Sequence, residues 1–162
     1  MREIIFRGKR LDNGEWVEGN LFVSDTDGST YILAGSRRIT IEWEVDPGTV
    51  GQYTGLKGKD GKRIFRDDIV RYNTFDDFSC FSVVKFGEYD QDGSSGEYNP
   101  SVCVGWYVEV CGFTCPDWAD NDPIFFKDYQ KQQNLLEVNE MCEVVGNIHD
   151  LIQIGGNLYF YK

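Results

Sequence analysis

The sequence lacks the long apolar runs and the histidine clusters that several functional classes require. No uninterrupted apolar run reaches about 18 residues, so no membrane-spanning helix is predicted. The N-terminal segment, residues 1–7, has no long apolar stretch of the signal-peptide kind, and we expect a cytoplasmic protein. The single histidine is His149. Because any of the thiols could be paired with it, a Cys–His catalytic pair has no specific support, and we predict no catalytic residues.

The cysteines are too few and too scattered for a disulfide framework or a zinc site. There are five, an odd number, which favours reduced thiols in a chain without an export signal. Cys111 and Cys115 form one loose pair, whereas a structural zinc needs two close pairs or a cysteine pair with a histidine pair. We therefore interpret the thiols as small buried apolar groups and predict no metal and no cofactor.

Basic residues are scarce in the second half of the chain. The net charge of the 162 residues is 16 − 27 = −11. Residues 1–72 carry 12 basic and 12 acidic side chains, so the whole excess lies in residues 73–162, with 4 basic against 15 acidic. A hydrophobic content of 41% and an aromatic content of 15% nevertheless predict a folded chain, and the length predicts one domain or two small ones.

Most of the sequence has the pattern of short strands joined by polar turns. Asn13-Gly14 lies between apolar residues and predicts a hairpin in which both turn residues have positive φ. Residues 24–29 and 57–62 are further polar turns, and the stretch 38–45 alternates apolar and polar side chains as a half-buried strand does. The predicted class is mainly β, α+β at most, with antiparallel strands.

Two later segments depart from this strand pattern. Residues 87–100 are acidic and rich in glycine, which predicts a flexible loop or an insertion. Asp122-Pro123 has the cap and first-turn residues of a helix, so we predict a helix over residues 124–138. The predicted fold is therefore mainly β with one or two short helices.

Five short motifs resemble, in order, those of the YopX family, whose members are encoded largely by bacteriophages and prophages. They are Met1-Arg2-Glu3-Ile4-x-Phe6-Arg7, Gly51-Gln52-Tyr53-Thr54-Gly55-Leu56, Asp60-Gly61-Lys62-x-Ile64, Asp68-Ile69-Val70 and Glu143-Val144-Val145-Gly146-Asn147-Ile148. The sequence departs from the family pattern at two places. Arg66-Asp67 stands where the family usually has an acidic residue and a glycine, and His149-Asp150-Leu151 matches only loosely the acidic, proline-containing stretch with which the family tends to end. We predict a single YopX-like domain over residues 1–162, with a family-like core of 1–72 and 142–150 and a divergent acidic insertion at about 73–141.

The resemblance implies an architecture more than an activity, because the family has no established biochemical function. A Gly/Asp residue leading into an Ile-Val strand suggests, by analogy, a small SH3-like barrel-type unit at about residues 45–72. We expect a non-enzymatic accessory protein that acts through protein–protein contacts, including self-association as a homo-oligomer. Aromatic residues concentrate in interfaces, and the candidates for exposure are Trp106, Tyr107, Trp118, Phe125 and Phe126.

The alternative function is nucleic-acid binding by a small β-barrel protein. The hairpin segment 57–71 has a net charge of +3, and its basic residues could follow a phosphate backbone: Lys57, Lys59, Lys62, Arg63, Arg66 and Arg71. The total charge of −11 opposes this reading. The segment 55–63 does not fit a phosphate-binding loop, because five residues rather than four separate Gly55 from Gly61 and Arg63 follows Lys62. Asp117, Asp120 and Asp122, with Asp128 further on, could hold a hard cation, but carboxylates that precede a helix are better explained by capping and the helix dipole.

Overall fold

In the computed structural model, the residues described are 3–36, 39–73, 79–91, 101–114, 132–150 and 158–160. The chain folds as two compact units, residues 1–55 and 56–162. The strands of the first unit are β1 (Phe6–Lys9), β2 (Trp16–Val23), β3 (Thr30–Ser36), β4 (Ile39–Glu44) and the start of β5 (Gly51–Lys57). They form an antiparallel sheet in the order β4-β3-β2-β1-β5, in which β4 lies at the edge.

The first hairpin confirms the turn predicted at Asn13-Gly14 but not its geometry. The N–H of Arg10 donates to the carbonyl of Glu15 (2.9 Å), and the N–H of Gly14 donates to the carbonyl of Arg10 (3.0 Å). Only Gly14 has a positive φ, 73°. Asn13 instead accepts a hydrogen bond from the N–H of Glu15 through its side chain. The loop is therefore longer than the two-residue turn expected, and the side chain of Asn13 stabilises it through the bond to Glu15.

The first sheet curls so that the chain after β1 approaches the chain after β4. Arg10, just after β1, pairs with Val45, just after β4, and the N–H of Asp46 donates to the carbonyl of Lys9 (2.8 Å). Gly8 suits this close approach, because a Cβ at this position would lie 3.1 Å from the side chain of Val45, a tight contact. Val45 is 1% exposed and belongs with Ile32 to the core of this unit.

The second unit has its own antiparallel sheet. The elements of this unit are β6 (Arg63–Phe65), β7 (Asp68–Asn73), β8 (Ser79–Gln91), β9 (Ser101–Thr114), β10 (Gln132–Asn134), α1 (Leu135–Val138), β11 (Glu143–Asn147) and β12 (Leu158–Phe160), of which β6 pairs with β5. The sheet order is β10-β9-β8-β7-β11, and β12 also pairs with β9. Strands β8 and β9 form a long ribbon whose register runs from Ser79 opposite Thr114 to Gln91 opposite Ser101.

A buried carboxyl group joins two of the motifs on which the family resemblance rests. Asp68 is fully buried, and its Oδ2 accepts a hydrogen bond from the N–H of Phe65 (2.8 Å). Its Oδ1 accepts one from the side-chain amide of Asn147 (3.3 Å), which lies 79 residues later in the chain. The carbonyl of Asn147's side chain in turn accepts from the N–H of His149 (3.0 Å). These bonds connect β7 to β11 where the ladder between them is irregular, at Val144/Gly146.

The core of the second unit combines family-like strands with the acidic segment 73–141. Its buried members are Ile64, Val70, Tyr72, Cys80, Val84, Val108, Val110, Leu135, Val138 and Cys142. Helix α1 contributes two of them, and the side chain of Asn134 caps it by accepting from the N–H of Leu136 (2.9 Å). The acidic segment is therefore an integral part of this core.

The mainly β, antiparallel class is confirmed. The strands over residues 3–36, 39–73, 79–91, 101–114, 132–150 and 158–160 form two sheets and no closed barrel, so the barrel-type unit expected near 45–72 is not found there. No helix among these residues is long and apolar enough to cross a membrane. The single domain with its divergent insertion stays a prediction.

Two local predictions were wrong in part. The helix predicted over 124–138 is absent at residues 132–134, which pair with β9, and only Leu135–Val138 are helical. Residues 115–131 lie outside the described part. The loop predicted at 87–100 was wrong for residues 87–91, which extend β8 by pairing with 101–105. In both places, strand pairing overrides the local composition.

We predict that Asp68→Ala lowers the free energy of unfolding by roughly 2–4 kcal/mol, because two buried donors lose their acceptor. Urea titration followed by circular dichroism measures the change. The exposed Glu88→Ala on the ribbon is the control and should shift the value by no more than about 0.5 kcal/mol. The double variant Asp68→Ala/Asn147→Ala should lose less than the sum of the single losses. Additive losses would contradict the direct contact.

Candidate functional site

The outer backbone of the edge strand β4 is open. Val45 donates its N–H to the carbonyl of Thr30 (2.9 Å), which places odd-numbered residues in the bonded positions toward β3. The N–H and C=O groups of Thr40 and Glu42 therefore point away from the sheet. Within the described part of the chain these outward groups make no hydrogen bond. At Glu44 the outward carbonyl accepts from the N–H of Leu11 (3.0 Å), so among the residues that the structure describes only this end of the edge is covered.

One face of the same strand exposes apolar side chains. Ile39 is 67% exposed and Ile41 is 48% exposed, although both alternate with polar residues as core residues of a strand do. Trp43, the next residue on this face, is partly buried opposite the fully buried Ile32 of β3. An open strand edge with exposed β-branched side chains is the kind of surface to which a further strand can add.

A shallow cleft of about 340 Å³ lies at the C-terminal end of β4. It is lined by Arg10, Leu11, Asp12, Glu42, Trp43 and Glu44. The guanidinium of Arg10 is held by the carboxylate of Asp12 through two hydrogen bonds. That pairing leaves two glutamates as the excess charge, so the cleft is negatively charged beside an indole ring.

The ribbon of β8 and β9 carries a second exposed apolar surface, which we call the ribbon stripe: Phe86, Val102, Val104 and Trp106. At the base of the ribbon, Val84 opposes Val108 on this face and both are fully buried. Farther out, Phe86 opposes Trp106 with ring centroids 5.0 Å apart and packs on it edge to face. Phe86 is 59% exposed and Val104 is 71% exposed. The face that forms the core thus continues into solvent.

Acidic side chains border the ribbon stripe. Glu88 lies opposite Val104 and Asp90 lies opposite Val102, and both acidic residues are exposed. Lys85 on the other face is paired with Glu109, whose hydrogen bond raises the pKa of the lysine. The open end of the ribbon is therefore apolar along its centre and negative along its side.

The six basic residues of the nucleic-acid alternative lie on β5, β6, β7 and the turns between them: Lys57, Lys59, Lys62, Arg63, Arg66 and Arg71. The carboxylate of Glu143 brings two of them together: it lies 3.5 Å from Nζ of Lys59 and forms a close ion pair with the guanidinium of Arg71. The hydrogen bond from Arg71 lowers the pKa of Glu143.

Two more cations of this set also have carboxylate neighbours. Lys62 lies 3.2 Å from a carboxylate oxygen of Asp60, and Arg66 lies 3.5 Å from one of Asp67. Four of the six are thus in ion pairs, and each pair reduces the positive field that a phosphate backbone would meet.

The described cysteines are free thiols. Cys80 and Cys142 are buried in the core, whereas Cys103 and Cys111 are partly buried. Burial raises the pKa of Cys80 and Cys111, and it raises the pKa of Cys142 to about 11 with Asp60 as the next cause. High pKa values disfavour the thiolate, so Cys80, Cys111 and Cys142 serve as packing groups.

Several predicted candidates fall outside the described residues: Cys115, Asp117, Trp118, Asp120, Asp122, Phe125, Phe126 and Asp128. Among residues 3–36, 39–73, 79–91, 101–114 and 132–150, no cluster of three or more metal-ligating side chains occurs. His149 is exposed, at the turn after β11. Of the aromatic residues expected at the surface, Trp106 is partly buried and Tyr107 is buried against Tyr89, with centroids 5.1 Å apart.

Sequence reasoning missed the two surfaces that the structure exposes. For Ile39 and Ile41 the signal was the alternation itself, which assigns side chains to one face without showing that this face is uncovered. For Val102 and Val104 no local signal in the sequence shows the exposure, because it follows from the pairing of β9 with β8 along the ribbon.

Comparison with known proteins finds one family. The family model described as YopX protein matches residues 5–151, a single range that includes residues 73–141. No curated protein matches the sequence, and no solved structure matches it.

We predict that Cys142 reacts at least about 100-fold more slowly with iodoacetamide at pH 8 in the native chain than a thiol of ordinary pKa does. A rise of the pKa from 9.0 to about 11 lowers the thiolate fraction by that factor. Peptide mass spectrometry after timed alkylation measures the rate, and the chain unfolded in guanidinium serves as the control. Equal rates in the native and unfolded chains would contradict the burial of this thiol.

Proposed function

The chain belongs to the YopX family, and from that premise we propose that it is a non-enzymatic accessory protein that acts through protein–protein contacts. The proposal includes a phage or prophage origin and a cytoplasmic location. The observation that carries it is the ribbon stripe, where a face buried at Val84 and Val108 continues as exposed Phe86, Val102 and Val104. Contiguous exposed apolar side chains on a folded protein mark surfaces that bind other molecules.

The charge around the ribbon stripe indicates the kind of partner. Glu88 and Asp90 border it, and the chain as a whole has a net charge of −11. An acidic partner would be repelled, whereas a protein surface with an apolar centre and a rim of lysine or arginine would be complementary. We therefore propose a basic-rimmed protein as the partner that binds the ribbon stripe.

Nucleic-acid binding through residues 57–71 stays the alternative proposal. It is less favoured because Lys59, Lys62, Arg66 and Arg71 already lie beside carboxylates. A phosphate backbone would have to displace Asp60, Asp67 and Glu143 from these cations, and the remaining acidic charge would oppose its approach.

We predict that Val104→Glu weakens capture of the partner by the immobilised full chain, because a carboxylate would be placed at the centre of the ribbon stripe. Extracts of phage-infected cells, with and without nuclease treatment, supply the candidates, and quantitative mass spectrometry measures what is retained. At least one basic protein should be retained by the unmodified chain and fall at least about tenfold with Val104→Glu.

The matched control is Ile148→Glu, which makes the same kind of change at an exposed apolar residue of the second unit, 47% exposed. It should retain the partner as the unmodified chain does, and circular dichroism should show all three proteins folded. The proposal fails when no protein is retained, or when both variants retain the same proteins equally.

We predict that a fluorescein-labelled single-stranded oligonucleotide binds the full chain with a Kd weaker than about 10 µM at roughly 0.15 M salt. The reason is the carboxylate neighbours of the four paired cations. Fluorescence anisotropy measures the binding. A sub-micromolar Kd that is lost in Lys57→Gln/Arg66→Gln would instead support the alternative.

A further inference from the structure

We propose that the open edge of β4 binds β4 of a second copy of this chain, so that the first units of two copies form one continuous antiparallel sheet. The inference deepens the proposed role in protein contacts and rests on it, but it uses a different surface from the ribbon stripe. The two-fold axis passes beside Ile41, which then faces Ile41 of the second copy.

The backbone determines this register. The outward N–H and C=O groups belong to even-numbered residues of β4, so only a register that pairs even with even residues can form the ladder. With Ile41 on the axis, Thr40 of each copy pairs with Glu42 of the other. This arrangement uses all the outward groups of Thr40 and Glu42 in four hydrogen bonds. The end at Glu44, already covered by Leu11, is left outside the new ladder.

The side chains favour the same arrangement. Ile39, 67% exposed, would lie opposite the partly buried Trp43 of the second copy, and the half-exposed Ile41 would meet its own equivalent. Cross-strand contacts between aromatic and β-branched residues are among the stabilising pairs of antiparallel sheets. Moving the axis to Glu42 would place two glutamate carboxylates directly opposite each other, which is destabilising.

The same pairing makes the edge complementary to itself. With the axis beside Ile41, Ile39 and Trp43 of one copy lie opposite Trp43 and Ile39 of the other, so a second copy supplies an apolar partner at each odd-numbered position. Each Glu42 then lies opposite the uncharged Thr40 of the other copy, so no like charges stand directly opposite each other. This self-complementarity favours a second copy over a strand from another protein.

Two measurements on the full chain test the proposal. Sedimentation velocity from about 1 to about 200 µM should show a shift from the 18.6 kDa monomer to twice that mass. Hydrogen exchange followed by NMR should show slower exchange at the amides of Thr40 and Glu42 as the concentration rises. The amide of Ile41, which already bonds to β3, should be protected at every concentration.

The variant Ile39→Lys should weaken dimerisation at least about tenfold, because a charged side chain would replace an apolar contact. Ile4→Lys is the matched control, since Ile4 is 63% exposed and lies outside β4; its dimerisation should match that of the unmodified chain.

The inference is overturned by a monomer at all concentrations, or by exchange at Thr40 and Glu42 that does not depend on concentration. A dimer lost with Val104→Glu but kept with Ile39→Lys would overturn it too, and would leave the proposed function standing. If the unmodified chain retains no partner but still forms the β4 dimer, the proposed function fails and this inference stands.

Discussion

The hydrogen bonds of the buried Asp68 carboxyl are the constraint on which the second unit depends. A buried carboxyl group is stable only where donors meet both oxygens, and here they come from the backbone of Phe65 and the side chain of Asn147. These bonds hold β7 next to β11 and fix the turn in which Asp67 has a φ of 66°. β7 then pairs with β8, and β8 with β9, so the ribbon extends from the strand that Asp68 positions.

Both candidate contact surfaces arise where the apolar residues on one face of a strand continue beyond the buried core. In the first unit, alternation along β4 continues beyond Trp43 to Ile41 and Ile39, which no neighbouring strand covers within the described residues. In the second, the face of Val84 and Val108 continues outward along the ribbon. The two surfaces differ in their chemistry. β4 offers open backbone groups, whereas the ribbon stripe offers side chains with an acidic border.

Local signals in the sequence predict the strands and turns well, because hairpin turns such as those at Gly14 and Gly61 need residues that accept positive φ. Long-range partners could not be predicted in this way. Asp68 and Asn147 belong to motifs 79 residues apart, and nothing local indicates that one hydrogen-bonds the other. The sequence predicts a helix over residues 124–138, yet residues 132–134 form a strand because they pair with β9. The exposure of Ile39 was equally hidden, since a strand's own pattern does not show which neighbours the sheet order will give it.

The central claim is that the exposed apolar residues of β4 and of the ribbon are contact surfaces. Carbene footprinting with mass spectrometry tests it most directly, by comparing labelling of Ile39, Val102 and Val104 in the isolated chain with that in the assembly isolated from cells. The account predicts heavy labelling of all three in the dilute isolated chain and protection of each in the assembly, while the exposed Ile4 stays labelled in both. Equal labelling of the three residues in both states would contradict it.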